Sequence, residues 1–282
     1  MMLIVAKPCD SMLDSQILTY HVHEVTPYIS WSYFFHAWGV RSSESQSPEV
    51  MGLMADARQM LMEMEDVVHP QCLYRLCTAG ADGDDLVVEG TRIPLLRQQE
   101  PHADGSPLLC LSDFVRPIAL SMPDRIGLFA ATVHTDRAFP DDPYRNLLLQ
   151  TLMDRLAEAA VELMHAYVRR VAWGYAPNES ITINDMLQGR YQGIRPAVGY
   201  PSLPDQSINF ILDSLLDMQQ IGIRLTENGA MHPHSSVSGL MLAHPAARYF
   251  TVGHIGEDQF KDYARRRGLP LDKMQKFLAA LL

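Results

Sequence analysis

The clearest periodic stretch of the chain runs from Asp141 to Tyr175. Apolar residues fall at 144, 148, 152, 156, 159, 163, 167 and 171, spacings of three and four that share one face of a helix. Asp141 or Asp142 stands where a cap is needed, and Pro143 suits the first turn. No further Gly or Pro interrupts the pattern before Gly174. One long helix is therefore predicted over about 143–173, roughly 45 Å long at 1.5 Å per residue. Polar residues at 154, 158, 162, 165 and 169 form a second stripe, which reads as a solvated side.

The other patterns are shorter. Pro48 to Val68 carries apolar residues at 50, 54, 57, 61, 64 and 68, and predicts a helix that ends before Pro70. Gln71 to Thr91 reads as a hairpin about Ala81-Asp-Gly-Asp-Asp85. Leu108–Val115 and Ile126–Val133 read as buried strands split by a turn at Met122-Pro-Asp124. Asp205 or Ser207 caps a helix over Ile208–Gln220, closed by Gly222. Ile223–Glu227, Val237–Ala243 and Tyr249–Ile255 read as strands. Two helices, Glu257–Arg267 and Leu271–Leu282, are separated by Gly268 and Pro270. Pro27–Val40 is dense in aromatics, a stretch that either packs on a core or walls a ligand site. Met1–Thr26 has a mixed pattern and yields no assignment. Strands and helices do not alternate regularly, so the expected class is α+β: a single large domain with a central antiparallel sheet flanked by helices.

Composition narrows the function classes. The 282 residues are 47% hydrophobic, enough to bury a sizeable core. A net charge of −10 argues against a nucleic-acid surface. Lys261, Arg265, Arg266, Arg267, Lys273 and Lys276 form the one basic cluster and read as a solvated helix face. No apolar run reaches the roughly 20 residues of a membrane span. Met1–Ala6 is too short and lacks the basic start of a secretory signal. The four cysteines (Cys9, Cys72, Cys77, Cys110) form no Cys-x-x-Cys pair and read as buried thiols of a reducing cytoplasm. Nucleophile-elbow and Gly-rich phosphate motifs are absent.

The segment Arg190-Tyr-Gln-Gly-Ile-Arg-Pro-Ala-Val-Gly-Tyr-Pro-Ser-Leu-Pro204 places prolines and glycines on a fixed, non-repetitive path. Ordered loops of this composition often carry function. Arg195, held between Ile194 and Pro196, suits a carboxylate gripped by two parallel hydrogen bonds, or simply a neighbouring Asp or Glu.

This run resembles the Arg-Pro-x-x-Gly-Tyr-Pro signature of the activation domain of cobalamin-dependent methionine synthase. Asp154-Arg-Leu-Ala-Glu-Ala159 and Val171-Ala-Trp-Gly-Tyr-Ala-Pro-Asn-Glu179 match upstream. Leu225-Thr-Glu-Asn-Gly-Ala-Met231, Ser236-Val-Ser-Gly239, His244-Pro245, Arg248-Tyr-Phe250 and Asp262-Tyr-Ala-Arg-Arg-Arg-Gly268 match downstream, in order. The strongest likeness spans 147–268, and so many motifs in register are improbable by chance. The resemblance implies one activation-domain-like domain over 1–282, with 1–26 as a divergent extension. It implies binding of S-adenosylmethionine and docking over a cobalamin carried by a partner methionine synthase chain, for reductive remethylation of cob(II)alamin. Flavodoxin or a similar donor would supply the electron. By resemblance, Arg195, Tyr249, Phe250, Glu158 and Tyr200 line the S-adenosylmethionine site, and Pro196, Gly199, Tyr200 and Pro201 form the corrinoid-facing turn. A carboxylate, an ammonium and a sulfonium need an Arg, an acid and aromatic walls, so the set is coherent. Two bland readings stand beside it: Glu158 as part of the solvated stripe, and Tyr249–Phe250 as core of a strand.

Ser30 and Gly189 stand where the family carries acids, and Gln206-Ser-Ile-Asn209 replaces a His-Thr-Glu-Lys run. Each lost carboxylate facing a cationic ligand would cost about 1–3 kcal/mol. The chain also lacks Asp-x-His-x-x-Gly and the cysteines that would hold catalytic zinc, so it is expected to act in trans rather than as a complete enzyme. Two alternatives follow. One is a docking or regulatory module that has lost S-adenosylmethionine binding. The other is a metal-dependent enzyme using His21-Val-His23 or His232-Pro-His234, although no Cys or carboxylate spacing completes a metal site.

Overall fold

Two long strands organise the molecule. In the computed structural model, which describes residues 15–40, 47–135, 138 and 141–282, β2 (Val68–Asp82) and β5 (Asp124–Thr135) pair antiparallel, from Val68 opposite Thr135 to Ala79 opposite Asp124. β1 (Gln16–Thr19) and β3 (Asp85–Val88) pair with opposite ends of the other edge of β2. β4 (Thr91–Pro94) extends that side, and β8 (Ser236–Met241) closes the far side against β5. A small pair, β6 (Arg224–Leu225) with β7 (Met231–His232), stands apart. The class is α+β with an antiparallel sheet, as the irregular order of patterns predicts.

Side-chain alternation splits the core into two layers. Phe129, Ala131 and Val133 of β5 join a cluster with the long helix, while Ile126, Leu128 and Ala130 join a second cluster on the opposite face. The first layer is covered by α1 (Val22–Val25), α2 (Trp31–Ala37), α3 (Pro48–Met64) and α4 (Pro143–Tyr167). The second is covered by α6 (Ile208–Leu216) and by inward residues of β3 and β4. A third cluster joins α7 (Glu257–Arg267) and α8 (Leu271–Leu278) to Leu96, Val252 and Ile255. A short helix, α5 (Ile183–Leu187), lies between α4 and the 190–204 loop.

The long helix begins as expected: Asp142 accepts the Arg145 N–H at 2.7 Å, and Pro143 opens the first turn. It continues past Tyr167 as a wide π-turn over Val168–Ala172. That extra residue per turn shifts the phase. Val171, placed on the apolar face by a strict 3.6 repeat, is 65% exposed, and Arg169 is fully buried. Glu162 and His165 are buried too. The polar stripe is therefore not a solvated side.

Other expectations are corrected. Leu108–Val115 is no strand. Asp113 accepts the Cys110 N–H at 2.8 Å and pairs with Arg97, closing a 3₁₀ turn over Leu111–Phe114. Tyr249–Ile255 is no strand either, since it runs against a proline-rich loop that cannot supply a ladder of N–H donors. The helix from Ile208 stops at Leu216, where Asp217 turns left-handed and the Asp213 carboxylate takes the Met218 N–H. Pro48–Val68 stops at Met64, and Val68 opens β2. In the basic cluster, Arg266 pairs with Asp85 and Asp262, and Arg267 pairs with Asp205 in the interior. Cys72, Cys77 and Cys110 are buried, while Cys9 and Met1–Ala6 lie outside the described residues. Among the described residues, no helix is long and apolar enough to cross a membrane.

Candidate functional site

The 190–204 loop lies along the free edge of β8. Ile194 and Leu242 exchange backbone hydrogen bonds at 2.9 Å, the Leu240 N–H donates to the Pro196 carbonyl at 3.0 Å, and the Val198 N–H donates to the Ser238 carbonyl at 2.9 Å. Such close approach depends on Gly239, where a Cβ would overlap the Pro196 carbonyl. Gly193 is needed twice over, by its φ of +82° and by the Leu242 carbonyl in the place of a Cβ. The loop then turns at Gly199, whose N–H donates to the Leu203 carbonyl at 2.8 Å.

A second segment locks onto it. The Phe250 N–H donates to Ser202 Oγ at 3.0 Å, and the Val252 N–H donates to the Pro201 carbonyl at 3.0 Å. The Arg195 N–H donates to the Tyr249 hydroxyl at 3.0 Å. Loop, segment, α4 and the start of α2 enclose a cavity of about 460 Å³. Arg195, Glu158, Tyr200, Tyr249, Phe250, Pro196 and Pro201 all line it. Gly199 is not a wall residue and lies in the turn that presents Tyr200. Tyr200 and Tyr249 are each 50% exposed, so neither is core.

Sequence reasoning missed several walls. Glu162 and Arg155 line the cavity from α4, together with Tyr28, Tyr33 and Thr251. Ser30 lines it as well, whereas Gly189 does not. The stripe 158, 162, 165, 169 carried the signal for Glu162, but periodicity alone cannot separate a solvated stripe from one facing a polar cavity. Tyr28 and Tyr33 bear out the second reading of the aromatic stretch, while Phe34 is fully buried in the core.

Charge in the cavity is balanced and only partly satisfied. Arg195 donates through Nη2 to Glu162, and its Nη1 lies 4.0 Å from Glu158. Burial by itself would lower the guanidinium's proton affinity. Glu162, with Tyr191, Tyr249 and Glu158, outweighs this and holds it well above its usual value, so Arg195 stays charged. The Tyr200 hydroxyl donates to Glu158 Oε1 at 2.7 Å. Burial, then the Glu158 charge, pushes that phenol up, so it stays protonated. Six buried side-chain polar atoms lack a hydrogen-bond partner among the described residues, and three of them belong to these walls: Arg155 Nε, Arg195 Nε and Glu162 Oε2. Two donors and one acceptor without partners, on side chains that line one cavity, fit an occupant that carries both an anionic and a cationic group.

Behind the cavity lies a closed network. Arg169, fully buried, donates from Nε and Nη2 to the two oxygens of Glu179 at 2.8 and 2.6 Å. Its guanidinium stacks 4.1 Å from the Tyr191 ring centroid. Arg169 Nη1 donates to His165 Nδ1 at 2.9 Å. Desolvation first, then the charges of Arg169 and Arg195, hold His165 far below its usual value and keep it neutral. This network ties residues 175–191 to the end of α4 and so fixes the start of the Arg195 loop.

The histidine pairs do not lie as a strand pair would. His21 precedes α1 and His23 lies within it. Glu65 supplies the carboxylate that sequence spacing did not reveal, with ligand atoms of all three within 4.8 Å of one another near the surface. His23 Nδ1 and Glu65 Oε1 are 2.5 Å apart, which raises the affinity of His23 for its proton. His232 and His234 are exposed.

Comparison with known proteins gives the family and the fold. The family described as vitamin B12 dependent methionine synthase, activation domain, matches residues 21–268. The crystal structure of the MetH reactivation domain bound to AdoHcy superposes with a TM-score of 0.87 at 33% identity, covering 96% of this chain and 90% of that one.

Proposed function

This chain belongs to the activation-domain family of vitamin B12 dependent methionine synthase, and from that membership we propose that its cavity binds S-adenosylmethionine and presents it to a corrinoid on a partner chain. The open donors of Arg155 and Arg195 beside the open acceptor of Glu162 carry this reading. S-adenosylmethionine offers a carboxylate, an ammonium and a sulfonium, and its demethylated product AdoHcy is the ligand of the related MetH domain. Arg195, Glu158, Tyr200, Tyr249 and Phe250 are assigned as ligand contacts. Pro196, Gly199, Tyr200 and Pro201 form the turn that faces the corrinoid, and residues 1–282 act as one unit.

The partner's cobalamin, reduced by flavodoxin or a similar donor, supplies the metal chemistry. This chain supplies position. Arg195 and the glutamates fix the amino-acid end, the half-exposed tyrosines hold the sulfonium at the mouth, and the neutral phenol of Tyr200 adds no charge there. Calorimetry with S-adenosylmethionine and AdoHcy is the direct test. Heats that fit a single site support the reading, and no heat at about 1 mM ligand sinks it. That outcome would leave a docking module without ligand, a reading favoured by one observation: an uncharged Ser30 lies on the cavity wall.

A further inference from the structure

Two glutamates of α4 face the cavity, each with one oxygen bonded and one free, and burial separates them: only the free oxygen of Glu162 is withdrawn from solvent. Glu158 gives Oε1 to the Tyr200 hydroxyl, while its Oε2 lies 4.0 Å from Arg195. Glu162 gives Oε1 to Arg195, and its Oε2 receives no donor among the described residues. Ser30 is no substitute, since its hydroxyl is uncharged and shares a hydrogen bond with Ser32 at 3.0 Å. The open acceptor on Glu162 sits on the same ion pair as an open donor, Arg195 Nε. An open acceptor and an open donor on bonded partners match the ammonium and carboxylate of an α-amino acid, which are joined through a single carbon. A buried carboxylate oxygen without a donor is costly, and an ammonium is the donor that best removes the cost.

We infer that Glu162 accepts the ammonium of the ligand's amino-acid end, and so selects an α-amino-acid-bearing nucleoside over its deaminated counterpart. The inference rests on the reading of the cavity as an S-adenosylmethionine site. The experiment is calorimetry on the full chain with AdoHcy and with deamino-AdoHcy, for the unaltered protein, Glu162→Gln and Glu162→Asp. Unaltered protein is expected to prefer AdoHcy on the order of tenfold to a hundredfold, the range of a charge-assisted hydrogen bond. Glu162→Gln is expected to bring that preference to within about twofold by weakening AdoHcy, with deamino-AdoHcy changed by less than about threefold. Glu162→Asp, which keeps the charge but shortens the reach, gives the same readout if the Gln variant does not fold.

Equal weakening of both ligands would show that Glu162 acts only by holding Arg195, and would overturn the inference. So would unaltered protein that binds both ligands equally, with no variant needed. If unaltered protein binds neither AdoHcy nor S-adenosylmethionine, the site reading falls and takes this inference with it. If it binds but discriminates without Glu162, only this inference falls.

Discussion

Two arginines lie within reach of α4, Arg169 fully buried and Arg195 nearly so, both paired to a glutamate, and they are bonded very differently. Arg169 meets Glu179 with two parallel hydrogen bonds, stacks on Tyr191 and reaches His165. None of its nitrogens is left open. Arg195 meets Glu162 through one nitrogen and stands 4.0 Å from Glu158, while its Nε and the second Glu162 oxygen both lack a partner. The first is a finished structural joint. The second is a half-bonded pair at a cavity wall, and that incompleteness marks it as a place for a ligand. Burial and charge are shared by both, so neither property identifies the site. The accounting of donors and acceptors does.

The largest effect expected from this contrast is at the finished joint. Arg169→Ala leaves the Glu179 carboxylate buried without its partner, and should cost about 3–5 kcal/mol of folding stability. Urea denaturation with an unchanged m-value reads this directly. A loss below about 1 kcal/mol would mean that the network is dispensable, and the contrast would break. Arg195→Ala should act the other way round. Affinity for AdoHcy is expected to drop by about 2 kcal/mol, near thirtyfold, with a smaller stability loss than Arg169→Ala because Glu162 already has an open oxygen and a cavity beside it. Equal stability losses and unaltered ligand affinity would make both arginines structural.

Much of this was legible in the sequence. The apolar period of α4 foretold the spine, and the Pro and Gly of the 190–204 loop foretold the fixed path that runs beside the cavity. Every residue expected at the ligand lines one cavity, and of those expected in the corrinoid-facing turn only Gly199 does not. What sequence concealed has specific causes. The π-turn at Val168–Ala172 changed the helical phase, so Arg169 turned inward while Val171 turned out. Glu162 sat in a stripe that periodicity assigns to water, because a polar cavity and bulk solvent ask for the same residue types, and Arg155 lay outside every pattern read. The partner of His21 and His23 was Glu65, some forty residues away, a pairing that only tertiary structure creates.

His165 joins the two arginines and offers the finest probe of the contrast. It is fully buried and neutral, accepts from Arg169, and feels the positive charges of both Arg169 and Arg195. Unfolded, it takes up a proton near its usual 6.5; folded, it does so only at much lower pH. Above 6.5 both states leave it neutral and it adds no pH dependence. Below 6.5 the unfolded chain binds the extra proton, so stability falls as pH falls, by up to about 1.4 kcal/mol per pH unit. Removing that group should flatten the curve. His165→Gln keeps an acceptor for Arg169, and the difference between its stability and that of unaltered protein should shrink by about 0.7 kcal/mol from pH 7 to pH 6 and by about 1.3 kcal/mol by pH 5.5. Arg195→Ala removes one of the two charges that hold the histidine neutral, whereas Arg169→Ala removes the nearer charge and a hydrogen bond. The acid slope should therefore flatten more in Arg169→Ala than in Arg195→Ala. Parallel curves for unaltered protein and His165→Gln between pH 7 and pH 5.5 would show that the histidine titrates alike in both states, and that the buried network does not extend to it.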